Sequence, residues 1–245
     1  GSVFPLPGSK DVIMGGEDPI EVNFSSSTAG FSVLFQTLPR RELVIKNNSS
    51  RKNFQILPKE KFGDGETVKT KVLLKFSKEG DDKYREIYSG DFTTLPPAPK
   101  EWEEDLTLRL AQDKRLTRPK IVSGKYIDIN LENQIMSLFE NGKISDVFLI
   151  SSGKRGMETP KGEHEIYNKS PRTWSKQYSL FMPFWMAITS SGKYGIHELP
   201  EWPGGYKEGA NHLGIPVSHG CVRLGVGSAE KVYNFADIGT KVIVY

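Results

Sequence analysis

The sequence predicts a mainly β protein in two parts, an N-terminal immunoglobulin-like β-sandwich and a second β-rich domain that closes with a short helix. Three observations lead there. Residues 18 to about 95 form short β-type runs separated by Ser, Asn, Gly and Pro, the punctuation of an antiparallel sandwich. Prolines at 96, 97 and 99 then break the pattern, and a new series of strands starts near Ile121. A length of 245 residues suits two domains of moderate size. The expected boundaries are 1–98 for the sandwich, 99–119 for a linker with a short helix, and 120–245 for the second domain.

In the sandwich the expected strands are "PIEVNFS", "FSVLFQTL", "RELVIKN", "NFQILP", "TVKTKVLLKF" and "YREIYSGDFTT". Within "TVKTKVLLKF", Val68, Thr70, Val72, Leu74 and Phe76 alternate with Thr67, Lys69, Lys71 and Lys75, which gives one apolar and one wet face. Prolines 96, 97 and 99 stiffen the linker, and Trp102, Leu106, Leu108 and Leu110 allow a short amphipathic helix bridging the two parts. In the second domain "ENGK" reads as a hairpin turn between "QIMSLF" and "ISDVFLIS", with Gly142 supplying a positive φ. "KRGMETPKGEHEI" is a loop, "LFMPFWMAI" and "GKYGIHEL" are strands, and "VSHGCVRL" follows a long Gly-rich loop. Ser228 reads as the cap of a final helix that Gly239 stops before a last apolar strand.

Net charge is +3, with 19 Lys+Arg against 18 Asp+Glu over residues 1–119 and 14 against 12 over residues 120–245. Neither part is a basic arm, which argues against nucleic acid as a partner. No stretch approaches the roughly 18–20 apolar residues of a transmembrane helix. The leading Gly1–Ser2 resembles a cloning remnant, so an export signal is expected to have been removed ahead of it.

The chemistry-bearing residues are unevenly placed. His164, His197, His212, His219 and the single cysteine, Cys221, all fall in the second domain. A nucleophilic cysteine needs help to lose its proton, and His197, His219 and Arg223 are each positioned in the sequence to give it. If "VSHGCVRL" is extended, His219, Cys221 and Arg223 share one face. Gly220 then leaves the backbone bare, so that the N–H groups of Gly220 and Cys221 face a developing oxyanion, and Arg223 meets a carboxylate. The plain alternative is a packed core thiol, which His and Arg on the same face would make costly. Zinc held by His197, His219 and Cys221 is a further alternative, but no close-spaced ligand pair accompanies them. No metal or other cofactor is expected, and His164 and His212 read as surface or hydrogen-bonded loop residues.

The segment "IHELPEWPGGYKEGANHLGIPVSHGCVRL" resembles the active-site stretch of the L,D-transpeptidases, YkuD-type cysteine enzymes of bacterial peptidoglycan, whose signature is a histidine followed by [ST]HGC[VI]R. Here it reads His197, then Ser218, His219, Gly220, Cys221, Val222 and Arg223. Upstream, "SSGKRGMETPKGEHEI" is similar to the family's TGxxxxxTPxGxF stretch, and the resemblance covers roughly 120–245. It implies attack by Cys221 on a stem tetrapeptide ahead of its terminal D-alanine, followed by transfer to an amine of a neighbouring stem, giving a 3→3 cross-link, or of a wall-anchored acceptor protein. It further implies His197 as base, oriented by the Glu198 carbonyl; His219 beside the thiolate and oxyanion; Arg223 organising the site; and Ser218 fixing the loop. A carbapenem or related β-lactam is the expected covalent inhibitor, and the cell envelope the expected location.

Two departures from the family pattern stand out. Glu198 occupies a position where a small residue is common, and "EWPGGYKEGAN" lengthens the loop, so that Trp202 and Tyr206 are expected to form part of a lid. The competing functions are an L,D-carboxypeptidase using the same acyl-enzyme and a catalytically idle wall-binding module. An NlpC-type endopeptidase fits poorly because every histidine precedes Cys221.

Overall fold

The computed structural model describes residues 1–14 and 18–245. The chain divides into two compact units, Gly1–Ala98 and Pro99–Tyr245.

The first unit contains β1 (Ser2–Phe4), β2 (Ser9–Val12), β3 (Ile20–Asn23), β4 (Phe31–Leu38), β5 (Leu43–Asn47), β6 (Asn53–Pro58), β7 (Thr67–Phe76) and β8 (Arg85–Thr94). They form two four-stranded sheets, ordered β1-β3-β6-β5 and β2-β8-β7-β4. Ile20, Val22, Phe54 and Ile56 from the first sheet meet Phe35, Val68, Val72 and Phe92 from the second in one core, which makes the unit a sandwich. The alternation along β7 holds through Val68, Thr70 and Val72, which are buried. It fails beyond them: the β7–β8 register shifts after Val72, and Phe76 at the strand's end is more than half exposed.

The second unit begins earlier than expected. Residues 99–119 belong to it and are not a linker. Helix α1 (Leu106–Leu116) starts at Asp105, whose carboxylate accepts the amides of Thr107 and Leu108 at 2.9 and 3.0 Å, satisfying two of the first-turn N–H groups. The apolar face drawn through Trp102, Leu106, Leu108 and Leu110 does not become the buried one. Leu108 is half exposed, and the helix buries Asp113 and Leu116 instead. Asp113 accepts the hydroxyls of Ser137 and, at 2.7 Å, Thr117, so a hydrogen-bonded carboxylate rather than a leucine stripe ties α1 to the sheet.

The sheet itself has nine strands: β9 (Lys125–Asn130), β10 (Ile135–Glu140), β11 (Lys143–Ser151), β12 (Gly162–Glu165), β13 (Asn168–Ser175), β14 (Leu180–Ala187), β15 (Gly195–Glu198), β16 (Val222–Leu224) and β17 (Lys241–Val244), with α2 (Ser228–Phe235) ahead of the last. Their order is β12-β17-β9-β10-β11-β16-β15-β14-β13. The β10–β11 hairpin turns through Asn141 and Gly142, at φ 50 and 74°, the paired positive values that a type I′ turn requires. Strands from both halves of the sheet share one core with Ala229 and Val232 of α2. The amides of Ile166 and Tyr167 bond to the carbonyls of Thr240 and Ala187, so one short segment links the β17 side to the β14 side and the sheet curls around α2.

Helix α2 is not capped by Ser228. Ser228 is its first residue, and the cap position is Gly227, which has no side chain to offer. The Gly227 amide instead donates to the Glu198 carboxylate at 3.3 Å.

Candidate active site

Strands β15 and β16 lie side by side and parallel, pairing Ile196 with Val222 and His197 with Arg223. That register sets Cys221, one residue before β16, beside the start of β15. The two chemically interesting stretches, 24 residues apart in sequence from His197 to Cys221, are thus brought together by the ladder and by the core that Ile196, Val222 and Leu224 share.

The loop ahead of β16 departs from the extended strand expected of "VSHGCVRL". Only Val222–Leu224 is strand, and Gly220 sits at φ +113°, where a Cβ would come within 2.4 Å of the Tyr194 ring. A turn therefore carries the thiol, and strand alternation does not. Ser218 holds that turn: its hydroxyl donates to the Cys221 carbonyl at 2.5 Å and accepts the Gly220 amide at 3.1 Å. The Gly220 N–H, expected to face an oxyanion, is directed to Ser218. Ser218 is itself fixed by its amide to Ser152 O at 2.9 Å and its carbonyl to Lys154 N at 3.0 Å. Ser152 is locked by Gln134, which accepts its amide at 2.8 Å and donates to its hydroxyl at 2.7 Å. The "SSGKRGMETP" stretch is thus the floor on which the cysteine turn rests.

A cavity of about 520 Å³ opens over this turn and is lined by Ser218, His219, Cys221, Arg223 and His197. Tyr178, Leu180 and Met182 close one side; Pro200, Trp202 and Glu208 another; Met157, Lys193 and Tyr194 a third. The nucleophile candidate, both histidines and the arginine therefore face one space. His164 and His212 do not reach it. His164 Nε2 donates to Pro160 O at 3.0 Å within the β12 region, and His212 lies on the short 3₁₀ turn Ala210–His212. Among the described residues no three His, Cys, Asp or Glu side chains gather as metal ligands.

The two histidines of the cavity differ in kind. His197 is 3% exposed, and its Nδ1 faces the Glu198 carbonyl at 2.5 Å. A carbonyl only accepts, so Nδ1 carries the proton and Nε2 keeps its lone pair. Burial pulls the pKa of this imidazole down to about 4, opposed by the carbonyl bond and reinforced by the Arg223 charge. His219 is exposed and stacks its ring on Tyr178, 5.0 Å between centroids. Burial raises the Cys221 thiol, while a backbone hydrogen bond at Gly195 and the Arg223 charge act to lower it. Burial thus works against the charged form of both groups, the imidazolium of His197 and the thiolate of Cys221.

The remaining expected residues divide. Trp202 lines the cavity and donates its Nε1–H to Glu208 at 2.9 Å. Tyr206 is two-thirds exposed and does not line it; its carbonyl accepts the Trp202 amide in the loop's own turn. The Glu198 carboxylate is turned away from His197, as neighbours on a strand must be, and is ion-paired with Lys207. Sequence reading missed Tyr178, Tyr194, Met157 and Glu208. Met157, Tyr194 and Glu208 lay in segments already singled out, "SSGKRGMETPKGEHEI", "GKYGIHEL" and the lengthened loop, whereas Tyr178 did not.

Residues 124–244 match the family model of YkuD, the L,D-transpeptidase catalytic domain. A protein of Bacillus subtilis described as putative L,D-transpeptidase YciB is 28% identical over 125 residues, which is 49% of this chain and 64% of that one. The chain thus spans less than two thirds of this curated relative. Among solved structures, an L,D-transpeptidase from Stackebrandtia nassauensis is 26% identical, covers 58% of this chain and 66% of its own, and superposes with a TM-score of 0.47. L,D-transpeptidase 3 from Mycobacterium tuberculosis, solved with a faropenem-derived adduct, is 20% identical, covers 100% of this chain and 97% of its own, and gives 0.43.

Proposed function

Because residues 124–244 belong to the YkuD family of L,D-transpeptidase catalytic domains, we propose that this chain is a cysteine acyltransferase of peptidoglycan, acting on stem tetrapeptides in the cell envelope. Cys221 Sγ attacks the carbonyl ahead of the terminal D-alanine. His197 Nε2 receives the thiol proton as the C–S bond forms and returns it to the departing D-alanine amine. An amine of a second stem then attacks the thioester and frees the thiol, leaving a 3→3 cross-link; a wall-anchored protein offering an amine is served by the same step.

The observation that carries this reading is the His197 Nδ1–H bond to the Glu198 carbonyl. It fixes the tautomer that leaves Nε2 basic and holds the ring on the cavity that Cys221 lines. Burial disfavours both the thiolate and the imidazolium, which favours a proton that moves as Cys221 attacks. With Gly220 N–H given to Ser218, the Cys221 amide is the oxyanion donor this turn leaves available. Arg223 supplies positive charge beside the thiol and a partner for a substrate carboxylate. His219 lines the mouth and packs on Tyr178. The N-terminal immunoglobulin-like sandwich positions the catalytic domain on the wall.

Mass spectrometry after incubation with a defined stem tetrapeptide tests the reading. Wild-type protein is expected to carry the tripeptide acyl group on Cys221 and, with an acceptor amine present, to yield dimer; Cys221→Ala gives neither. A carbapenem is expected to add one drug mass to wild type alone. Tripeptide without dimer assigns the domain to hydrolysis, and an unmodified wild-type protein removes the acyl-transfer reading.

A further inference from the structure

Glu198 is the one buried glutamate among the described residues, and it follows the base directly in the chain. Its backbone and its side chain act on opposite sides of β15. The carbonyl holds His197; the carboxylate, 2% exposed, pairs with Lys207 and accepts the Gly227 amide. A buried carboxylate is costly unless compensated, and here a lysine and the start of a helix share the compensation. Three pieces of chain therefore converge on one charge: the strand bearing the base, the turn before α2, and the loop that follows β15.

That loop is the wall of the cavity. Pro200, Trp202 and Glu208 all line it, and the loop is folded on itself by Glu208 N to Pro200 O at 3.0 Å and by Trp202 Nε1 to Glu208 at 2.9 Å. Two of its ties reach other parts of the fold through side chains. Near its start, Glu201 pairs with Phe181 through both backbone bonds, at 2.8 and 2.9 Å, and meets Arg172 at 2.6 Å. Near its end, Lys207 reaches back to Glu198, next to Glu208 in sequence. Releasing the Lys207 side chain would remove the ion pair that ties this loop to Glu198 and leave Trp202 and Glu208 held by backbone bonds, among them the Glu201–Lys207 bridge and Glu208 N to Pro200 O.

We propose that Lys207, through its ion pair with Glu198, is a specificity-determining positioning residue that seats the Trp202–Glu208 wall against the strand carrying the base. The substrate group it selects is the acyl-donor chain packed along that wall. This rests on the acyl-transfer reading for its consequence in turnover, but not for the seating itself.

Two measurements on the full chain test it. In Lys207→Met, KM for the donor tetrapeptide is expected to rise ~10-fold with kcat within ~3-fold, the signature of lost binding common to ground and transition states, and Lys207→Arg is expected to restore KM. Tryptophan emission should shift to the red in Lys207→Met and return in Lys207→Arg, with no shift in a Trp202→Phe background. If Lys207→Met does not fold because Glu198 is left unpaired, the neutral pair Glu198→Gln/Lys207→Met carries both measurements. Unchanged emission, or a wild-type KM in an active folded variant, overturns the proposal. A shift that depends on Trp202, in a protein whose wild type forms no acyl-enzyme, upholds the seating and overturns the acyl-transfer reading instead.

Discussion

The two units bury polar groups in opposite ways. Among the described residues, the buried polar side chains of the sandwich are the threonines at 28, 37, 70 and 94. Two of them, Thr37 and Thr70, are cross-strand partners whose hydroxyls have no hydrogen-bond partner. The second unit buries His197, Glu198, Asp113, Asp128 and Gln134, each met by a specific donor or acceptor: Lys120 reaches Asp128 at 2.6 Å, as Lys207 reaches Glu198. A sandwich closes on two apolar faces and tolerates a stray hydroxyl. The curled sheet, which holds Cys221, His197 and a long loop in register, buries carboxylates as well, and each of these is answered by a partner.

The contrast is broken or sharpened by substitution, beginning where the effect is greatest. His197→Ala is expected to slow acylation by about 10²–10⁴-fold in stopped-flow measurements with a chromogenic β-lactam, while His219→Ala, at an exposed stacked ring, slows it less than about 10-fold. Equal losses would move the base from β15 to the turn.

His197 also predicts how the second unit responds to pH. Its folded pKa of about 4 lies below the ordinary 6.5, so between those values the unfolded chain binds the proton and the folded chain does not. Its contribution is whole above pH 6.5 and is lost as pH falls toward 4, with a slope of up to about 1.4 kcal/mol per pH unit. Urea unfolding at pH 4.5, 5.5 and 6.5, read by the tryptophans, which all lie in the second unit, should show that slope flattened in His197→Gln. The acid limb of kcat/KM is likewise expected near pH 4.

Smaller effects separate the units further. Asp105→Ala removes the cap of α1 and is expected to cost about 1 kcal/mol, seen in the same urea titration. Thr70→Val removes an unanswered hydroxyl of similar shape and is expected to leave the sandwich within about 0.5 kcal/mol of wild type, or more stable, by calorimetry. A loss above that would show that the threonine hydroxyls are answered after all and that the two units differ less than their burial suggests.

Much of this was legible in the sequence, for identifiable reasons. Alternation marks a strand with one wet face, so β7 was readable as far as Val72. Asn-Gly marks a type I′ turn, so the turn of the β10–β11 hairpin was readable and its strands to within a residue of each end. Four-residue strands such as β2 and β12 carry too few side chains to show a period. Helix α1 misled because leucines promise a buried stripe, whereas the buried Asp113 reaches Ser137 of β10; no local pattern announces a carboxylate whose partner is on another element. At the site, the residue types near Cys221 suggested a shared face, and they do share a cavity, but through a turn at Gly220 that breaks the alternation. The burial of Glu198 was hidden for the same reason: Lys207 lies nine residues on, and only the folded loop brings it back.

The parallel pairing of β15 with β16 has a consequence for how such a protein diversifies. Parallel neighbours need a long crossover between them, and the ladder from Ile196–Val222 to Glu198–Leu224 together with the Ser218 turn sets His197 and Cys221, whatever length of chain precedes Ser218. The segment between them is therefore free to grow, shrink or be exchanged as a cassette. Grafted loops of other lengths, ended by a Lys207 equivalent, would vary the wall of the cavity over one unchanged β15–β16 pair.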